Sequence, residues 1–362
     1  MKFIPSDSIA RIKPYEAGKP LKELEREYAI TQAVKLASNE NPLGVSPQVE
    51  TAVRSCIQEM HRYPESAGYL LNQAIADKYG VQPGQIVLGN GSDDIIALLA
   101  HAYLNPGDEA VMPLPSFLMY EISVRTAKGE PVMVPLTDFS TNLDGLIQKI
   151  TDRTKLVFIT NPFNPTGSVI TEDEFSTFAS QVPENVIIVM DEAYIEFVRS
   201  PDVYNSLKDP LQDDRVVTLR TFSKAYGLAG FRVGYGIMDK EIAEVLNRIR
   251  QPFNVNGLAQ AAAVAALADE TFFDQSVQTV HQGIDYLYAQ LKKLNIHPLP
   301  TQSNFIMFDI AQDASTVFKR LLEKGVIVRS MKSYGFETYL RINAGTMAEN
   351  ERFIQALASI IS

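Results

Sequence analysis

The chain has a single cysteine, Cys56, so no internal disulfide can form. Histidine is nearly as scarce. His61, His101, His281 and His297 are the four present, and none pairs at helical or turn spacing with a second ligand, so a metal centre has little support. A basic excess is missing too. The net charge of −10 argues against a nucleic-acid surface as the main business of the molecule. Long apolar runs are absent: Met1 to Tyr15 holds nothing of signal-peptide length, and the alanine-rich stretch Ala261 to Ala268 is far too short to cross a bilayer. The expectation is a cytoplasmic protein with no membrane segment. What is there is 362 residues of ordinary globular composition, enough for two domains.

The first 38 residues are mixed and lead into the turn-rich Asn39-Glu40-Asn41-Pro42-Leu43-Gly44. Strands and helices then alternate. Gln85–Gly89, Glu109–Met112, Lys155–Thr160, Asn185–Met190 and Arg215–Leu219 are strand candidates, and Ile95–Leu104 is apolar at helical spacing. Runs such as Lys155–Thr160 are apolar throughout, as a strand buried on both faces should be. The alternation predicts an α/β fold with an open, mainly parallel sheet between helices. After Val255 a long helical stretch precedes two β-rich pieces, Asn304–Asp309 and Gly325–Arg341, which predicts a smaller α+β domain. The expected division is an N-terminal arm of residues 1–38, a large domain of 39–255 and a small domain of 256–362.

Ligands of open α/β sheets bind beyond the carboxyl ends of the strands. Polar clusters follow four apolar strands here: Gly91-Ser92-Asp93, Asn161 to Gly167, Asp191-Glu192-Ala193-Tyr194, and Thr221-Phe222-Ser223-Lys224. Asp191 ends an apolar run and needs a positive partner. A helix cap is a lesser alternative for it alone, and a P-loop ATPase also places acids after a strand. However, no G-x-x-x-x-G-K-[ST] stretch exists. A protonated pyridine nitrogen is the remaining good partner. Lys224, taken alone, is an ordinary surface lysine. In this stretch, with Gly227, Gly230 and Arg232 after it, a partly desolvated amine with a lowered pKa is expected, fit for Schiff-base chemistry and proton transfer. Gly91-Ser92-Asp93 opens a helix and suits a phosphate, to which Ser223 and Arg232 can add a hydroxyl and a guanidinium. Gly89-Asn90-Gly91 is not a dinucleotide fingerprint, because Asp94 stands where a third glycine is needed.

Together these residues resemble the fold-type I pyridoxal-5′-phosphate (PLP) enzymes of the aspartate-aminotransferase superfamily. Asn161 to Gly167 is similar to its N-P-x-N-P-T-G turn, and Ser223 to Arg232 to its S-K-x(5–7)-G-x-R lysine motif. Within it, Ile12 to Tyr15, Leu36 to Pro42, Arg62-Tyr63-Pro64, Asp191 to Phe197 and Leu340 to Thr346 resemble the histidinol-phosphate aminotransferase family. The resemblance implies a seven-stranded sheet, bound PLP and a homodimer with shared sites. It also implies transfer of an amino group from L-histidinol phosphate to 2-oxoglutarate in histidine biosynthesis. Lys224 would link the cofactor, Asp191 would bind its pyridine nitrogen and Phe117 would stack on the ring. Asn164 and Tyr194 would hold the 3′-oxygen. Ser92, Asp93, Ser223 and Arg232 would hold the phosphate, with Tyr63 from the other subunit. Arg341 and Arg329 would take the substrate's anionic end, bordered by Tyr15. Two positions depart from the pattern: Phe117 where tyrosine is common, and Phe163 where Asn or His is common. Alternatives on the same fold are an aromatic aminotransferase, a threonine-phosphate decarboxylase and a PLP-sensing regulator. The last needs a DNA-binding domain for which the 38 leading residues are too few.

Overall fold

The computed structural model describes residues 4–12, 14, 18–28, 30, 33–210 and 212–361. In chain order the strands are β1 Val34–Lys35, β2 Ile86–Gly89, β3 Glu109–Leu114, β4 Glu130–Pro135, β5 Thr154–Thr160, β6 Ile187–Asp191, β7 Val216–Thr221, β8 Gly234–Ile237, β9 Phe305–Asp309, β10 Val326–Ile327, β11 Arg329–Ser330 and β12 Tyr339–Asn343.

A seven-stranded sheet of order β2-β8-β7-β6-β5-β3-β4 forms the centre. β4, β3, β5, β6 and β7 run parallel, and β8 lies antiparallel to both β7 and β2. The apolar runs become central strands because helices cover both faces. In β5, Leu156 and Phe158 join one helix-covered cluster while Val157 and Ile159 join the other, and all four are fully buried. Removing one such side chain, Phe158→Ala, is expected to cost about 3–5 kcal/mol through the cavity left behind.

The expected strands are present with small shifts at their ends: Asn185–Met190 is observed as Ile187–Asp191, and Arg215–Leu219 as Val216–Thr221. Two strands of the central sheet were not anticipated. β4 carries Pro131 and Pro135, which a strand tolerates because β4 is at the edge. β8 reads Gly-Tyr-Gly-Ile, and its glycines are there for close approach: a Cβ on Gly234 would stand 2.5 Å from the backbone nitrogen of Ser92.

The C-terminal part contains a three-stranded antiparallel sheet, β11-β12-β9, packed on long helices through Phe305, Phe308, Ile342, Leu287 and Phe353. Two details tie the parts together. The helix Gly257–Ala268, which opens the expected small-domain segment, packs its alanines against Leu71, Ile75 and Phe222 beside the large sheet. At the other end of the chain, β1 pairs in parallel with β10, and Leu24, Ala33 and Ala37 cluster with Leu322 and Ile327. The leading segment is therefore stitched to the C-terminal part of the protein.

Candidate active site

The parallel strands place their carboxyl ends on one edge of the sheet. β8 runs the other way, so its start lies there, and Arg232 just before β8 comes to rest beside Ser223 just after β7. A cleft of about 390 Å³ opens at this edge. Its walls include Ser92, Asp93, Phe117, Asn164, Asp191, Tyr194, Ser223, Lys224 and Arg232, all expected from the sequence. A separate cavity of about 590 Å³, bordered by Phe175, Tyr204 and Arg215, holds none of them.

Asp191 is 5% exposed. Tyr120 Oη donates to its Oδ2 at 2.7 Å, and the Ala193 N–H donates to Oδ1 at 3.2 Å. Burial pushes the carboxyl up to about 6; Glu192 and Asp93 add to the push, and the two hydrogen bonds oppose it. Among the described residues Asp191 has no salt-bridge partner, so a cation in the cleft would be well received. Lys224 is its opposite. Its Nζ donates to Ser38 O at 3.1 Å, and its ammonium is pushed down to about 8, first by burial and then by the charges of Arg341 and Arg232. Near neutrality about a tenth of such amines are neutral, against far below a hundredth for an ordinary lysine, and the neutral form is the nucleophile.

Tyr194 Oη accepts from Asn39 Nδ2 at 3.0 Å and Asn164 Nδ2 at 3.4 Å, and burial pushes its phenol up to about 12. Arg341, buried in β12, donates through Nη1 to Asn164 Oδ1 and through Nη2 to Ala37 O at 3.2 Å, with its guanidinium 5.0 Å from the ring centre of Phe305. At the other end, Ser92 begins the helix Ser92–Tyr103. Gly91 precedes it with φ +88°, and a Cβ there would meet Asp93 Oδ1 at 2.2 Å and Arg232 Nη2 at 2.4 Å. Arg232 itself is left-handed, with φ +59°, which aims its Nη2 at Asp93 Oδ1 (2.9 Å) and its Nη1 at Ala229 O (3.2 Å) and Ser223 Oγ (3.5 Å). Helix N-terminus, hydroxyls and guanidinium converge on an anion cradle that only glycine at position 91 leaves open. The Asp93 carboxylate accepts from Arg232 and holds the guanidinium at this end of the cleft.

Of the expected residues that are described, Tyr63 and Arg329 are not in this cleft, and Arg341 meets its wall through Asn164. Tyr63 is 83% exposed and stacks on Phe253, ring centres 4.6 Å apart. Arg329 lies directly across the β11–β12 pair from Arg341 but borders another cavity, with Lys19 and Lys332. Tyr15 lies outside the described residues. Conversely, Tyr120, Thr160 and Asn39 touch the site and were not singled out as site residues. Tyr120 had a readable signal: it is three positions after Phe117 at the start of the helix Leu118–Thr126, hence on the same face.

The sequence pattern of aminotransferases of class I and II matches residues 31–357. The chain belongs to this family. The aminotransferase is 45% identical to the histidinol-phosphate aminotransferase of Moorella thermoacetica over 357 residues, 98% of this chain and 92% of that protein. It is 43% identical to that of Desulfotalea psychrophila over 358 residues, covering 98% and 94%. Its fold matches the crystal structure of histidinol-phosphate aminotransferase from Sinorhizobium meliloti in complex with pyridoxal-5′-phosphate, at a TM-score of 0.89, 28% identity and coverage of 98% and 97%. The aspartate aminotransferase of Thermus thermophilus, at 24% identity and a TM-score of 0.85, shares the fold.

Proposed function

We propose that the cleft binds pyridoxal 5′-phosphate and that the aminotransferase moves an amino group from L-histidinol phosphate to 2-oxoglutarate. The products are imidazole-acetol phosphate and L-glutamate. The observation that carries the reading is one cleft that joins an anion cradle, a buried carboxylate with no cation among the described residues and an amine with its pKa near 8. The donor set fits the cofactor at each point: phosphate at Ser92, Asp93, Ser223 and Arg232, pyridine nitrogen at Asp191, 3′-oxygen at Asn164 and Tyr194, ring face at Phe117. When bound, the cofactor supplies an aldehyde and a ring that draws electrons from the substrate. Asp191 keeps a proton on the pyridine nitrogen, and Tyr120 keeps Asp191 aimed at it. Lys224 Nζ would hold the cofactor's aldehyde carbon and, as a free amine, would take the proton from the substrate α-carbon. Arg341 binds the anionic end. Its planar fork matches phosphate and carboxylate alike, so one residue serves donor and acceptor. Arg329, its cross-strand neighbour, borders the adjoining cavity, and in this reading it lends a second positive charge to the anionic end from there.

The substrate assignment rests on the relatives at 43–45% identity. It is tested by offering the purified protein histidinol phosphate, tyrosine, phenylalanine and threonine phosphate while following the cofactor's absorbance. Histidinol phosphate should give the highest kcat/KM. Faster turnover of an aromatic amino acid, or release of carbon dioxide from threonine phosphate, overturns it.

The same reading includes a cytoplasmic location; among the described residues no helix is long and apolar enough to cross a membrane. It keeps the division into 1–38, 39–255 and 256–362. It also includes a homodimer with shared sites, in which Tyr63 serves the partner's phosphate cradle and Tyr15 borders its substrate. Support comes from Tyr63 and Phe253, stacked yet exposed, with Met60 and Ile57 exposed nearby in the chain. Mixing inactive Lys224→Ala chains with inactive Tyr63→Ala chains should restore activity, because hybrid dimers collect both lesions in one site. A mixture that stays inactive despite subunit exchange counts against shared sites.

A further inference from the structure

Behind the cleft lies a charge cluster that the proposed chemistry does not use. Arg220 on β7 is 4% exposed, and Glu192 is completely buried. Arg220 Nε and Nη2 both meet Glu192 Oε2, at 2.9 and 2.8 Å. Nη1 reaches Glu196 Oε1 at 3.3 Å, and Nη2 also donates to Asn205 Oδ1 at 2.8 Å. The other oxygen of Glu192 accepts the Ser206 N–H at 2.8 Å. The guanidinium stands 5.9 Å from the ring centre of Tyr79, whose hydroxyl bonds that of Tyr235 at 2.8 Å. Glu196 Oε2, also buried, has no hydrogen-bond partner among the described residues.

Stability is a poor reason for such a cluster. Desolvating three charges costs about as much as their attraction returns, and apolar or neutral replacements of similar volume are commonly as stable. Its place in the sequence is more telling. Glu192 directly follows Asp191, Glu196 is two residues beyond Tyr194, and Arg220 is four before Lys224. One guanidinium thus joins the segments that carry three residues of the cleft. The hydrogen bond from the Glu192 N–H to Leu219 O repeats the link on the backbone.

We propose that Arg220, Glu192 and Glu196 form a positioning cluster that fixes Asp191, Tyr194 and Lys224 relative to one another. The inference rests on the cofactor reading of the cleft. The test is the triple variant Glu192→Gln, Glu196→Gln, Arg220→Met, which leaves no buried charge unpaired. It should melt near the wild-type temperature and still yield cofactor trapped on Lys224 by borohydride. Its kcat should fall roughly 10- to 100-fold, the scale of a misplacement of about 1 Å. KM for the amine donor should stay within about threefold, since the anion end is untouched. The absorbance of the bound cofactor should shift. A folded triple variant with wild-type kcat and spectrum overturns the proposal. Should the triple variant fail to fold, Glu196→Gln alone decides: it removes a charge at the rim of the cluster, and a several-fold loss of kcat at constant KM is expected. Wild-type kcat in that variant overturns the proposal as well. Wild-type protein with no cofactor trapped on Lys224 sinks the cleft reading, and the cluster's role with it. Trapped wild type beside a full-speed variant sinks the cluster alone.

Discussion

Asp191 and Arg341 are both buried charges at one cleft, and they are held by unlike parts of the molecule. Asp191 ends β6, which has a parallel strand on each side, and its carboxylate is fixed by Tyr120 and Ala193. Arg341 sits in a three-stranded sheet beside a strand of two residues, and its guanidinium is fixed by Asn164 on the large sheet's turn and by Ala37 just after β1. The chemical end is determined by the central sheet and the helices that cover it. The anion end is assembled from segments far apart in the chain. Lesions at the first should therefore depress kcat, and lesions at the second should fall mainly on substrate binding.

The sharpest break in that contrast is Lys224→Ala. Transamination should disappear, with PLP still bound but without a covalent link, because the cradle at Ser92, Ser223 and Arg232 is intact. Borohydride reduction and peptide mapping check the wild type: label on any lysine other than Lys224 removes the assignment. Asp191→Ala comes next. A preorganised charged group in a dry site contributes about 3–4 kcal/mol to the transition state, so kcat should drop roughly 100- to 1,000-fold while PLP affinity changes far less. A variant with near wild-type kcat refutes the role.

Arg341→Lys probes the other region. Lysine keeps the charge and loses the planar fork, and hydrogen bonds to charged groups contribute about 1.5–3 kcal/mol, so kcat/KM should fall roughly 10- to 100-fold. Both half-reactions should suffer, mainly through KM. If only the histidinol-phosphate half suffers, glutamate is bound elsewhere and the shared anion end is wrong.

The two regions also differed in how far the sequence disclosed them. The large sheet announced itself in the apolar runs at Lys155–Thr160 and Asn185–Met190, and the polar clusters that follow each strand meet in one cleft because parallel strands share an edge. Edge position and glycine hid β4 and β8, since Pro131, Pro135, Gly234 and Gly236 break the local pattern that marks a strand. Arg329 shows a limit of another kind. Which two residues face each other across β11 and β12 depends on register, which the strand sequences do not state; the structure sets Arg329 opposite Arg341 yet at the edge of a different cavity. Tyr120 escaped because its importance lies in a bond to Asp191, 71 residues away in the chain.

The smallest expected effect joins the regions. The ammonium of Lys224 is pushed down to about 8, first by burial and next by the positive charge of Arg341, with Glu40 and Asp191 pulling the other way. Removing that charge relieves the repulsion felt by the protonated amine and raises its pKa. In cofactor-free protein the rate of linkage to added PLP follows the neutral amine. It should climb as pH rises through about 8 and level off above. In Arg341→Met the midpoint should move to higher pH, so the variant is slower near neutrality and approaches wild type in alkali, where both amines are neutral. Stopped-flow absorbance across the pH range measures this without any substrate, so loss of substrate binding cannot imitate it. A midpoint that stays in place would show the anion end to be electrostatically separate from the amine, and the cleft would then be two independent halves. A midpoint that moves down would mean that the methionine dries the site more than it relieves the charge, making burial the stronger influence on Lys224 from both sides of the cleft.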